Sequence, residues 1–164
     1  RDRSVVYLST VQSEGPVAIT HRPGSQTHLH STAMGKALLA EMSDDAIRAL
    51  LGAKPLLQLT PRTKISLPQL MKDIEVIRKL GYATSEEENR QGFFSVGAVV
   101  RDVSNRAIAV ISGAVPAAFM KANDRAIIAQ QVLEAAQRAS RKLGMRNIPN
   151  VPAAMRRKSP ARGR

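Results

Sequence analysis

From Phe93 to Val100 the chain reads Phe-Phe-Ser-Val-Gly-Ala-Val-Val, apolar on both faces of any strand it forms. A strand with one wet face alternates apolar and polar residues, whereas a strand covered on both faces does not. The segment therefore predicts a central strand with material packed on each side. Val103-Ser104-Asn105-Arg106 supplies a turn, and Ala107–Val115 supplies the partner strand. Such short connections predict an antiparallel pair.

The other elements fit around that pair. Val5 to Gln12 is rich in strand formers, Ser13-Glu14-Gly15-Pro16 is turn chemistry, and Val17–His21 makes a second strand, so a hairpin is expected. Ser43 caps a short helix with Ile47, Leu50 and Leu51 as its stripe, stopped by Gly52. Ser66 caps a longer one carrying Leu67, Leu70, Met71, Ile74 and Ile77, stopped by Gly81. Tyr82–Glu88 reads as a strand. A closing helix runs from Asn123 or Asp124 to about Leu143, with Ile128, Val132, Ala135 and Ala139 on one face. The expected class is α/β of the α+β kind, an antiparallel sheet flanked by helices.

A chain of 164 residues, 43% of them hydrophobic, suffices for one domain with a core. Only five residues are aromatic, so that core is aliphatic. The lack of cysteine excludes disulfides, thiolate catalysis and cysteine-ligated zinc, and it fits a cytoplasmic setting. No apolar run approaches the ~20 residues of a membrane span, and no signal-peptide pattern opens the chain. Net charge is +12, which points first to nucleic acid. Five of those charges, however, lie at Arg156, Arg157, Lys158, Arg162 and Arg164, in a Pro-, Ala- and Arg-rich stretch. Residues 147–164 are expected to be a disordered basic tail, either simply solvated or touching phosphate backbone.

The run His30-Ser-Thr-Ala-Met-Gly-Lys-Ala-Leu-Leu-Ala40 carries the most functional information. Ser31 and Thr32 are helix caps, and the small residues that follow leave the first backbone N–H groups uncovered. Those donors and the helix dipole can hold a carboxylate without Arg or Lys. Gly35 admits a ligand or another backbone. A capped helix packing its glycine on a sheet explains the same residues with no ligand.

This run resembles the signature of the effector-binding domain of IclR-family transcription regulators. The similarity continues through Leu59-Thr60, Thr63–Leu70, Ile77–Ala83, Glu86-Glu87-Glu88, Gly92, Phe93–Val100 and Ala107–Ser112. The resemblance implies a GAF-like fold over residues 1–146, and dimers or tetramers. It also implies a parent regulator that meets DNA through an N-terminal winged-helix domain with no counterpart in this chain. It places ligand contacts at Ala33 and Met34, through backbone N–H, and at Ser85, Ser95, Ser112 and Ala114. Three positions depart from the family pattern, which favours an acid near Ser85, a cysteine at Ser95 and a serine at Ala114. The less polar site that results suits an aromatic or medium-chain carboxylic acid better than a two- or three-carbon keto acid.

Ser112 shares a face with Ile108, Val110 and Ala114, so its hydroxyl either bonds neighbouring backbone or faces a ligand. Small residues at Gly97, Ala98, Ser112 and Ala114 leave room for a cavity. His28 and His30 would share a face if extended, but zinc needs a third ligand that has no obvious position nearby. Glu86 and Glu88 share a strand face and suit solvent or arginine partners. No nucleophile–base set and no cofactor or phosphate-loop motif is present. The leading expectation is thus a sensor domain for a small-molecule carboxylate, with no catalysis, metal or membrane contact. An enzyme of small organic acids on the same scaffold and a ligand-free oligomerisation module are the alternatives.

Overall fold

The structure, a computed structural model, describes residues 4–12, 21–52 and 55–145. Strand β1 (Ser4–Val6) pairs antiparallel with β2 (Gln26–His28). Helices α1 (Ala33–Ala40), α2 (Asp44–Leu51) and α3 (Leu67–Leu80) follow. Strands β3 (Ala83–Glu86), β4 (Phe93–Arg101) and β5 (Ala107–Pro116) form an antiparallel sheet in that spatial order, and α4 (Asp124–Lys142) closes the chain.

The doubly apolar segment is the central strand. Phe94, Val96, Ala98 and Val100 of β4 are buried with Ala129, Val132, Leu133 and Ala136 of α4. By alternation Phe93, Ser95, Gly97 and Val99 point the other way, towards α1. Beneath that second face lies a separate cluster built from α1, α2 and α3, including Leu39, Ile47, Leu51, Leu70 and Ile74. Helix starts follow their hydroxyl caps: Thr32, Ser43 and Ser66 accept from Gly35, Ala46 and Gln69 N–H groups. The β4–β5 turn closes on Asp102, whose carboxylate takes hydrogen bonds from Ser104 and Arg106. The Ser104 hydroxyl leads in lowering its pKa to about 2.

Three expectations change. β1 ends at Val6, and its partner is Gln26–His28, because Tyr7 N–H donates to Ser25 O and Gly24 N–H to Tyr7 O. The expected turn at 13–16 and most of the strand Val17–His21 lie outside the described residues, as do the tail 147–164 and Arg146. The buried stripe of α4 is Ala129, Val132, Leu133 and Ala136; of the expected stripe Val132 is buried, Ile128 and Ala139 are half-buried against the same cluster, and Ala135 lies outside it. Two alanines facing β4 bring the helix axis close, and Gly113 makes room for Val132, whose Cγ2 lies 3.1 Å from where a Cβ would stand.

α1 is fixed by two glycines. A Cβ on Gly35 would lie 2.2 Å from Leu29 O, and one on Gly97 would lie 2.9 Å from the Ala33 carbonyl carbon. Both neighbours are backbone and cannot rotate away. In an ordinary helix Gly→Ala gains ~1 kcal/mol. Gly35→Ala should instead destabilise the protein by about 2 kcal/mol or more through overpacking. Urea denaturation would show it as a lower midpoint at unchanged slope.

Candidate functional site

Strand register gathers the expected residues on one face. Ser85, Ser95 and Ala114 stand opposite one another across β3, β4 and β5, and Ala83, Gly97 and Ser112 form the next row. The first turn of α1 lies directly on Gly97, with Met34 N 3.0 Å from where its Cβ would be. All six expected positions therefore meet at the junction of this face with the start of α1. The role expected for Gly97 changes: it admits the α1 backbone and leaves no cavity there. Ala98 faces α4. A cavity of about 190 Å³ lies at the opposite end of α1, among Ala40, Ile77, Val99, Leu133 and Met145, and reaches none of the six.

Burial falls across the face. Ser85 is 3% exposed, Ser95 is half-buried, and Ser112 and Ala114 are exposed. The result is an open shelf on β5 with α1 as its wall. The hydroxyls are spent unevenly. Ser85 Oγ donates to Ser31 O at 2.7 Å, tying β3 to the α1 cap. Ser112 Oγ donates to Val96 O at 2.7 Å, so it takes the backbone option. At the helix start the Thr32 hydroxyl takes the Gly35 N–H, and Lys36 N–H bonds Thr32 O. The Ala33 and Met34 N–H groups precede these bonds, and neither finds an acceptor among the described residues.

A strap after β3 crosses the same helix start. Glu87 has a left-handed backbone, φ 58°, which ends the strand alternation. Glu86 and Glu88 therefore do not share a face. Glu86 pairs with Arg125 of α4, Glu87 with Arg62, and Glu88 turns inward to Lys36. Thr60 and Thr63 hydroxyls hold the Glu87 and Glu88 carbonyls, and Ser31 Oγ donates to Asn89 Oδ1 at 3.1 Å. His30, 5% exposed, meets Leu57 O through Nε2 at 2.9 Å. Burial lowers its pKa, so it is a neutral imidazole donating from Nε2. His28 stands edge-on to it at 5.7 Å, and no group of three metal-ligating side chains gathers among the described residues. No described helix is long and apolar enough to cross a membrane.

The sequence matches the family described as bacterial transcriptional regulator IclR C-terminal over residues 1–141. The HTH-type transcriptional repressor AllR of Escherichia coli K12 is 27% identical over 144 residues, covering 88% of this chain and 53% of AllR. The chain thus spans about half the length of such relatives. The crystal structure of Thermotoga maritima IclR superposes with a TM-score of 0.79 at 31% identity, over 88% of this chain and 59% of that one. The C-terminal domain of the E. coli regulator KdgR gives 0.73 at 26% identity, over 88% and 83%.

One residue escaped the sequence reading of this site. Lys36 is 1% exposed, with Nζ 2.7 Å from Glu88 Oε1 and 2.9 Å from Asp73 Oδ2, an oxygen Lys64 also contacts. Its signal was present: a lone charge in an apolar helix has no polar face to occupy. Burial alone would raise the Asp73 carboxyl, but Lys36 and Lys64 outweigh it and hold the pKa below 3.8. That stabilisation is present above the unfolded-state value and is lost as pH falls through the lower folded value. Asp73→Asn should therefore flatten the acid limb of a stability–pH curve below pH ~4. Lys36→Met, which leaves the buried Glu88 only the more distant Lys64 Nζ at 3.8 Å, should cost about 3 kcal/mol in urea melts.

Proposed function

The chain belongs to the IclR family of bacterial transcriptional regulators, as its C-terminal domain, and we propose that it senses a small organic carboxylate. In this reading the carboxylate sits on the Ala33 and Met34 N–H groups. Ser85, Ser95, Ser112 and Ala114 form the floor. The reading rests above all on those two backbone donors, which have no acceptor among the described residues at a helix start already pressed on the sheet. The positive end of α1 supplies the rest of the attraction. The floor offers few free donors. Ser85 is tied to Ser31 O, Ala114 has none, and only the Ser95 hydroxyl lacks a partner among the described residues. An effector with an apolar body, aromatic or medium-chain, suits it better than a small polyol or keto acid.

The whole regulator would act in the cytoplasm and meet DNA through a domain outside this chain. Occupancy of the shelf would shift the arrangement of a homodimer or homotetramer, and so the spacing of its DNA-binding domains.

Two substitutions test the site, with calorimetric titration of a panel of aromatic and straight-chain acids. Ala33→Pro removes one donor at a position where proline fits a helix, and it should abolish binding in a folded protein. Unchanged affinity there would move the site elsewhere. Ser112 must turn its hydroxyl from Val96 O to reach a carboxylate. The gain is a charged hydrogen bond less a neutral one, about 1 kcal/mol. Ser112→Ala should thus weaken binding about 5-fold, and it should lower the melting temperature of the free protein only by the little that one neutral hydrogen bond on an exposed residue supplies. A lower melting temperature with full affinity would assign the hydroxyl to the strand alone.

A further inference from the structure

Arg90 is a cation beside the site with no carboxylate partner among the described residues. It lies on the strap after β3, next to Asn89, which bonds Ser31 at the α1 cap. The strap is rich in carboxylates, but each is already engaged: Glu86 by Arg125, Glu87 by Arg62 and the Gly92 N–H, Glu88 by Lys36. Among the described residues no carboxylate pairs with Arg90. Its guanidinium lies instead over the Phe93 ring, 5.0 Å from the centroid. Alternation along β4 puts Phe93 on the same face as Ser95 and Gly97. The cation therefore caps one end of the row of residues that forms the shelf floor, and the α1 start caps the other. His21, stacked on Tyr7 at 4.0 Å, lies near enough for Arg90 to act on it. Burial first and Arg90 second lower its pKa, so the charge at this end is that of Arg90.

The strand rise gives a scale for what could bridge the two ends. Gly97, under the Met34 N–H, and Phe93, under Arg90, are four residues apart, or ~13 Å along a strand. Charge-assisted hydrogen bonds of ~2.8 Å at each end leave about 7 Å between two acid groups. We infer that Arg90 is a second anion-binding point of the shelf, and that the effector is a dicarboxylate with an apolar spacer of that length. The inference rests on the carboxylate reading above and narrows its ligand class. A monoacid reaches only the α1 end. A diacid reaches both and fills the half-buried stretch at Ser95 between them.

Titration calorimetry on the 164-residue chain would compare terephthalate with benzoate and adipate with hexanoate. The acids of each pair differ in the second acid group, which in terephthalate replaces a ring hydrogen of benzoate and in adipate the terminal methyl of hexanoate. The wild type should bind at least one diacid about tenfold more tightly than its monoacid partner, the scale of one added charged hydrogen bond. Arg90→Gln should abolish that preference and leave monoacid affinity and melting temperature unchanged. Arg90→Lys should keep part of it, because the charge remains while the planar fork is lost. Equal affinities within both pairs, or a preference that survives Arg90→Gln, would overturn the inference while leaving the monoacid site intact. Failure of all four acids to bind the wild type would overturn the carboxylate reading and the inference together.

Discussion

Everything at this site depends on backbone meeting backbone at Gly97. A helix start can rest on a strand at under 3 Å from a would-be Cβ only where no Cβ exists, and Gly97 faces Ala33 and Met34 in that way. Gly35, in the same turn, repeats the device against Leu29. With both contacts closed, α1 cannot slide along the sheet, and its first N–H groups hold fixed positions above β4. A ligand bound to donors so fixed loses little to reorganisation, the condition under which oriented backbone dipoles act most strongly.

The second constraint is charge. Lys36 lies on the side of α1 turned away from solvent, and its neutralisation draws in Glu88 from the strap and Asp73 from α3. One ion cluster thus ties the strap and α3 to the helix that carries the proposed site. Buried pairs of this kind add little net stability against an apolar alternative. Their effect is positional, since they are satisfied in only one arrangement. Glu88 Oε2 is buried with no partner, so the cluster is not saturated. Any displacement of α1 on ligand binding must be felt at Glu88 and Asp73 together, which gives the helix start a direct mechanical line to α3.

Local chemistry made most of the fold legible in the sequence. The three hydroxyl caps, the Gly81 stop and the two-faced apolar run of β4 each act within a few residues, and each appears where its sequence signal stands. The pairing of β1 was not legible. Strand propensity continues to Gln12, but pairing is decided by the turn at Arg22–Ser25, a choice among non-local partners that propensity does not rank. The place of Ala129 and Ala136, ahead of Ala135, in the α4 stripe has the same origin. A run of alanines offers two nearly equal stripes, and the contact of Val132 and Ile128 with Gly113 comes from another strand. At the site, the six positions came from family resemblance, and their gathering on one face follows from register. The inward turn of Glu88 needed the left-handed Glu87, which a run of three glutamates does not announce.

The same geometry separates what holds the domain from what would choose its ligand. Gly35, Gly97 and Lys36 are enclosed, and any side-chain change there meets backbone or strands a charge. Ser112, Ala114 and Arg90 are exposed, and Ser95 is half-buried. Substitutions at such positions away from the core usually alter stability by no more than ~0.5 kcal/mol. The wall of the shelf is therefore rigid by necessity, while its floor and its charged end are free to vary. A sensor built this way can exchange one acid for another by changing three or four side chains on β4, β5 and the strap. The N–H pair on α1, which in the proposed role asks only for an anion, would stay the same.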